Sequence, residues 1–243
     1  MIDFCAYTPE HIATLLAHLP GQIRQYVFIS TTSVCRPGGA VALTEDAPKL
    51  DGPQRELGEY ASYGYDKWRA ELVAAQLCAE RDIALTILRP AIIYGYYNYA
   101  PRETCFFEAL CAKRPIVLPE EEAAARYSFI WVVDMARLIM RCLDSELAHN
   151  ESFNLASPEL VSFERIVAAL AEITGKPVAT ERVAAAERER RCIVLPFPPD
   201  ADLLYSGAKI DRLYAIEYTS LASGLRQALR YYLMLRRRQA ASP

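Results

Sequence analysis

The spacing of apolar and polar positions changes several times along the chain, and each change marks an element. The opening MIDFCAY is short and apolar and is closed by Thr8 and Pro9, which predicts a buried strand running into a helix cap. A helix from about Glu10 to His18 follows. QYVFIS, rich in β-branched and aromatic residues and ending in a polar TTS, predicts a second buried strand. Residues 36–59 carry Pro37, Gly38, Gly39, Gly52, Pro53 and Gly58 and form a long excursion. Connections of that length in a compact domain are usually functional. From Ala61 to about Arg81 the apolar period is helical, and IALTILRP is a third strand that stops at Pro90.

Strand, helix, strand, helix, strand is the grammar of a parallel sheet with helical crossovers, so an α/β fold is expected. Past Gly95 the pattern loosens into a tyrosine-rich loop, a helix near Glu103 to Ala112 and a short apolar piece, PIVLP. FIWVVDMARLIMRCL then predicts a strand entering a helix, SFNLA a strand, and SFERIVAALAEITG an amphipathic helix closed by Gly175. The remainder is more polar, with a last helix from about Leu221 to Arg236. There are no repeats.

Composition changes this picture in what it excludes. The 243 residues are 52% hydrophobic, enough to fill a sizeable core. A net charge of −3 and a pI near 5.7 give no overall field that would collect nucleic acid or acidic lipid. Arg236, Arg237 and Arg238 read as a solvated helix terminus, and no basic-aromatic stripe is visible, so no nucleic-acid partner is expected. Seven cysteines (5, 35, 78, 105, 111, 142 and 192) form no CxxC pair and are expected to be reduced thiols. His11, His18 and His149 lie far from other candidate ligands, so no metal is expected. Without a signal-like opening or an apolar run of about 18 residues, the expectation is a soluble, cytoplasmic protein with no membrane partner.

Candidate chemistry gathers where the predicted strands end, because loops at the carboxyl edge of a parallel sheet line its crevice. Thr31 and Thr32 sit at one such end. Tyr63 and Lys67 in YGYDKWRAE begin the helix after the excursion, and their four-residue spacing puts both on one face. Arg89 and Pro90 end the next strand. A phenol is a poor base at neutral pH, but a neighbouring ammonium favours the phenolate. Thr31 could then hold a substrate oxygen while Tyr63 exchanges its proton and a nicotinamide exchanges hydride. Spacing alone does not carry this reading. With 15 tyrosines and five lysines, about 0.3 YxxxK pairs arise by chance, yet Tyr205 and Lys209 in YSGAK form a second pair. No strand ending in Ser or Thr precedes the second pair, so it is expected to be structural.

The sequence resembles the extended short-chain dehydrogenases/reductases, the NAD-dependent epimerase/dehydratase family. The matching pieces are YVFISTTSVC at 26–35, YGYDKWRAE at 63–71, LRPAIIYG at 88–95, FIWVVDMARLIM at 129–140, FNLAS at 153–157 and GAKIDRLYAIEYTSLASGL at 207–225. They run in family order. The resemblance implies a Rossmann-like parallel sheet formed by residues 1–96 with 129–157 returning to it. Residues 97–128 and 158–243 are implied to make a smaller mixed α/β substrate-binding lobe. It implies Thr31, Tyr63 and Lys67 as the catalytic set, and Ser30, Tyr63, Lys67, Pro90 and Ile92 as residues facing NAD or NADP. It further implies Thr32, Tyr94, Asn98 and Arg126 as substrate contacts, and a homo-oligomer such as a dimer.

Departures from the family pattern are specific. Ile92 stands where members acting on nucleotide sugars often have asparagine, and Tyr127 where they often have arginine, with Arg126 one place earlier. No GxGxxG or GxxGxxG occurs, and MIDFCAYTPE resembles the family's fourth strand, so by that alignment the first three strands are missing. The expected function is epimerase/dehydratase or reductase chemistry on a sugar-like or other small polar substrate, impaired as written. The alternative is a binding or assembly protein that keeps the fold without turnover. The loop GYYNYAP at 95–101 is either a substrate surface or a packed hinge.

Overall fold

The computed structural model describes residues 1–98, 100, 102–120 and 125–241 and divides into two compact units. The first comprises Met1–Ala91, Met135–Pro158 and Leu204–Ile216. Its sheet is parallel, in the order β1 (Ile2–Asp3), β2 (Gln25–Ile29), β3 (Ala84–Pro90) and β7 (Glu151–Leu155). Every residue of β2 is buried, as expected for a strand covered on both faces. The predicted first strand is much shorter than MIDFCAY. Asp3 Oδ1 accepts from the backbone N–H of Cys5 and Ala6, and this turn ends pairing after two residues.

Helix α1 (Pro9–His18) starts with proline at its first position, where the missing N–H costs nothing. Helix α2 (Tyr63–Glu80) packs on α1 and on the sheet, and Ile12, Leu16, Tyr26, Phe28, Ala70, Ala74 and Cys78 form the core between them. Gly64 lets the first turn of α2 lie against the chain after β2. A Cβ there would be 2.3 Å from the Ser33 carbonyl oxygen.

The second unit comprises Ile92–Asp134, Glu159–Leu203 and Glu217–Pro243. It holds β4 (Ile92–Tyr94) paired to β6 (Tyr127–Trp131), β8 (Leu160–Val161) antiparallel to β6, and a separate pair of β5 (Ile116–Pro119) with β9 (Thr180–Val183). Its helices are α3 (Glu103–Cys111), α5 (Phe163–Thr174), α6 (Ala185–Arg190) and α8 (Leu221–Ala241). The connecting α4 (Val132–Cys142) begins in this unit and ends in the first, and α7 (Ala208–Tyr214) belongs to the first. Gly175, at φ 67°, ends α5 in the left-handed conformation its type permits.

Apart from the single residue Pro158, the division departs from the expected boundaries over three stretches, each for a pairing or packing reason. Residues 92–96 and 129–134 fall in the second unit because β4 pairs with β6 rather than extending β3. Residues 204–216 fall in the first because Leu43 bridges Tyr205 and α7 packs on β7. No helix among the described residues is long and apolar enough to cross a membrane.

Candidate active site

β2 delivers Ser30 and Thr31 to its carboxyl end, where a short 3₁₀ turn (Thr32–Val34) takes over. Thr31 caps that turn, its Oγ1 accepting from the Ser33 N–H at 3.2 Å. Tyr63 opens α2 and is 38% exposed, whereas Lys67, one turn on, is buried. The two meet at a common neighbour. The Tyr7 ring lies 6.2 Å from the Tyr63 ring and 4.8 Å from Lys67 Nζ. Lys67 also stands 4.8 Å from the Phe28 ring and donates to the carbonyls of Ala6 (2.7 Å) and Ile29 (2.8 Å).

Burial pushes the Lys67 ammonium down from its ordinary 10.5 to about 8, against the pull of Asp3 and Glu71. An ammonium has three donors, and two are spent on these carbonyls. The third has no acceptor among the described residues.

Behind this face lies a buried network that the sequence reading did not assign. Arg89 grips Glu71 with two nitrogens, Nε to Oε1 at 2.9 Å and Nη2 to Oε2 at 2.6 Å, and Ser30 Oγ donates to Glu71 Oε1 at 2.5 Å. Arg89 Nη1 donates to the Glu45 carbonyl, and the Glu45 carboxylate accepts from the Asn154 N–H. The signal available in sequence was Glu71 one turn past Lys67, on the same face of α2. Ser30, expected to face the cofactor, points its hydroxyl into this network. Pro90 and Thr32 are joined by Thr32 Oγ1 donating to the Pro90 carbonyl at 3.3 Å.

The second YxxxK pair is split apart. Tyr205 lies before α7, is hydrogen-bonded to the Thr32 side chain, and is pushed up to about 12 by burial. Lys209, inside α7, donates to Glu151 (2.6 Å) and to the Ser152 carbonyl (2.9 Å). A four-residue offset shares a face only when both residues are helical. Tyr63 and Lys67 meet that condition, and Tyr205 and Lys209 do not.

The remaining candidates lie in the second unit, mostly in structural contacts. Ile92 is half-buried in β4 opposite Phe129. Tyr94 is buried between Phe129 and Trp131, 5.6 and 5.2 Å away, and burial holds its phenol well above the ordinary range. Asn98 spends its amide locally, Nδ2 donating to Glu103 Oε2 and Oδ1 accepting from the Ala100 N–H. Arg126 is bound to Asp202 at 2.6 Å. Of the loop 95–101, Tyr99 and Pro101 lie outside the described residues.

A parallel sheet with Thr31 at a strand end and Tyr63 and Lys67 on the following helix is matched, over residues 9–156, by the sequence profile of the NAD dependent epimerase/dehydratase family. The chain belongs to this family. Solved epimerase/dehydratase structures share its Rossmann-like fold. UDP-glucuronic acid 4-epimerase from Bacillus cereus, solved with UDP-glucuronic acid and NAD, superposes with a TM-score of 0.72 at 19% identity, over 93% of this chain and 66% of that one. dTDP-glucose 4,6-dehydratase from Bacillus anthracis, in complex with NAD, gives 0.69 at 16% identity, over 92% and 65%. Among curated proteins, the chloroplast stem-loop binding protein of 41 kDa b of Arabidopsis thaliana is 28% identical over 169 residues, 69% of this chain and 40% of that protein. This epimerase/dehydratase chain thus spans less than two thirds of the length of these relatives.

Proposed function

We propose that this chain carries the reacting part of an NAD(P)-dependent epimerase/dehydratase acting on a carbinol or carbonyl of a sugar-like substrate. The observation that carries the reading is the meeting of exposed Tyr63 and buried Lys67 at Tyr7, with Lys67 bonded to the Ile29 carbonyl two residues before Thr31. The donor set fits the nicotinamide end of the cofactor: the third Lys67 N–H suits a ribose hydroxyl, and Pro90 closes the strand alongside. When bound, NAD(P) supplies and accepts the hydride.

The chain's own residues do the rest. Thr31 Oγ1 donates to the substrate oxygen while still accepting from the Ser33 N–H, because a hydroxyl can do both. Tyr63 removes or returns the proton on that oxygen, and the Lys67 charge favours the phenolate. The carbonyls of Ala6 and Ile29 hold the Lys67 ammonium where both tasks need it.

Saturation-transfer NMR on the chain with NADH tests this. Nicotinamide and nicotinamide-ribose protons should receive more saturation than adenine protons, and Lys67→Met should remove the difference. Equal saturation of both ends, or none, would overturn the reading.

A second reading, a binding protein that keeps the fold without turnover, is favoured by two observations. The Arabidopsis relative is named for binding stem-loops, and the side chains of Asn98 and Arg126 are engaged by Glu103 and Asp202. Nucleotide-sugar turnover by a cofactor-replete preparation would exclude it.

A further inference from the structure

Hydride transfer leaves unused a surface of the second unit on α8. Its 21 residues include five arginines (226, 230, 236, 237 and 238), all exposed, and no acidic residue. Among the described residues no carboxylate pairs with Arg226, Arg230 or Arg237. Offsets of four and seven keep these three on one stripe, about 16 Å long at 1.5 Å per residue. Arg230, Arg237 and Arg238 with Leu233 and Met234 line a shallow depression of about 310 Å³.

Aromatic rings stand beside this charge. Tyr97 is 85% exposed and adopts φ 59°, a left-handed conformation that a tyrosine takes only at a cost. Its ring sits edge-on to Tyr231 of α8 at 5.2 Å. Tyr231 in turn contacts Tyr96 at 5.3 Å, and Tyr96 contacts buried Trp131 at 5.1 Å. A ladder of rings rooted in the core therefore holds one ring out in water, and the Arg238 charge acts on Tyr231 next to it.

From this geometry we infer that α8 and Tyr97 form a binding surface for a single-stranded polynucleotide, with backbone phosphates on the arginine stripe and bases stacked on the Tyr97–Tyr231 pair. A membrane surface fits less well. Leu221, Leu225 and Ala228 are already spent in the core, and Met234 and Leu235 expose too little apolar area for interfacial insertion. An acidic peptide would satisfy the arginines, but it does not carry a ring on every charged unit as a polynucleotide does, so it leaves the exposed tyrosines without a regular stacking partner. The net charge of −3 argued against nucleic acid because it averages this acid-free helix with carboxylates elsewhere. Tyr97 and Tyr231, far apart in sequence, show as a stripe only once folded. The inference is independent of the reading of Tyr63 and Lys67.

Fluorescence anisotropy with labelled mixed-sequence RNA and DNA strands of about 12 nucleotides, alongside the duplex of each, tests it. Both single strands should bind more tightly than their duplexes, and a gap between RNA and DNA would identify the natural source. With the three stripe arginines on phosphates, log K against log salt should fall with a slope of about −2 between about 50 and 200 mM. Arg230→Gln/Arg237→Gln should reduce that slope by about 1.4. Tyr97→Ala should weaken binding about tenfold without changing the slope. Circular dichroism would verify that these surface variants stay folded. No binding of single strands, equal or tighter binding of duplex, a slope unmoved by the double arginine variant, or capture by phosphatidylserine vesicles in place of single strands would overturn the proposal.

Discussion

At the scale of single residues, the two tyrosine-lysine pairs make opposite predictions. Joined to a glycine-rich dinucleotide-binding part and assayed for epimerase turnover, the Tyr63→Phe variant should lose at least about a hundredfold, the usual cost of removing a general acid/base. Tyr205→Phe removes a buried hydroxyl from Thr32, so it should cost on the order of 1 kcal/mol of stability and leave turnover within a few-fold. A large turnover loss confined to the second variant would reverse the assignment. Lys67 has its own pH signature. Folding lowers its pKa from 10.5 to about 8, so between those values the unfolded chain binds more protons than the folded one, and stability rises with pH. Below about pH 8 the full cost of the buried charge, about 3 kcal/mol, is present, and it is relieved toward pH 10.5. Urea denaturation at both ends of this window should show that rise in the parent and lose it in Lys67→Met. An identical rise in the variant would assign it to other groups.

At the scale of elements, what the sequence made legible follows from how locally each feature is determined. β2, α2, β3 and α5 were readable because burial imposes a clear period on them and because Pro90 and Gly175 punctuate them. The brevity of β1 was not, since it depends on Asp3 folding back on two N–H groups. Nor was the passage of residues 92–94 into another sheet, which is decided by pairing with Tyr127–Trp131 far along the chain. Of the candidate site, Thr31, Tyr63 and Lys67 were legible as strand-end and helix-face positions. The Glu71–Arg89 pair was not, because Arg89 was legible only as a strand-end group, and nothing in the sequence joins it to a glutamate on α2 until the fold buries both. That pair ties α2 to β3. Glu71→Ala leaves Arg89 buried and unpaired, with an expected cost of about 3–5 kcal/mol in chemical denaturation, whereas Glu71→Met/Arg89→Met should cost markedly less. A double variant as unstable as the single would show that the pair itself, rather than an orphaned charge, sets the stability. Gly64→Ala, which must push α2 off the Ser33 carbonyl, should cost about 1–3 kcal/mol on the same measurement.

At the scale of the whole chain, two features of the first unit combine in one prediction. Among the described residues β1 is an outer strand of the sheet, so one row of its N–H and C=O groups faces no partner strand there, and Phe4 and Tyr7 beside it are about half exposed. The 243-residue chain alone should therefore associate with itself, with light-scattering mass rising across a concentration series. Phe4→Lys, which places a charge beside that edge, should lower the associated fraction. The cofactor reports on the same unit from its other end. On the proposed reading Lys67 and Thr31 would offer polar groups to the nicotinamide ribose and the substrate oxygen, but a pyrophosphate is ordinarily held by a glycine-rich turn at a helix N-terminus, a motif these residues do not contain. Calorimetric titration of the chain with NADH or NADPH should give dissociation constants of about a millimolar or weaker, corresponding to roughly 4 kcal/mol or less. A monomer that binds either cofactor at micromolar strength would contradict both halves of the argument. It would mean that the edge of β1 is protected and that other residues of the chain grip the adenosine end.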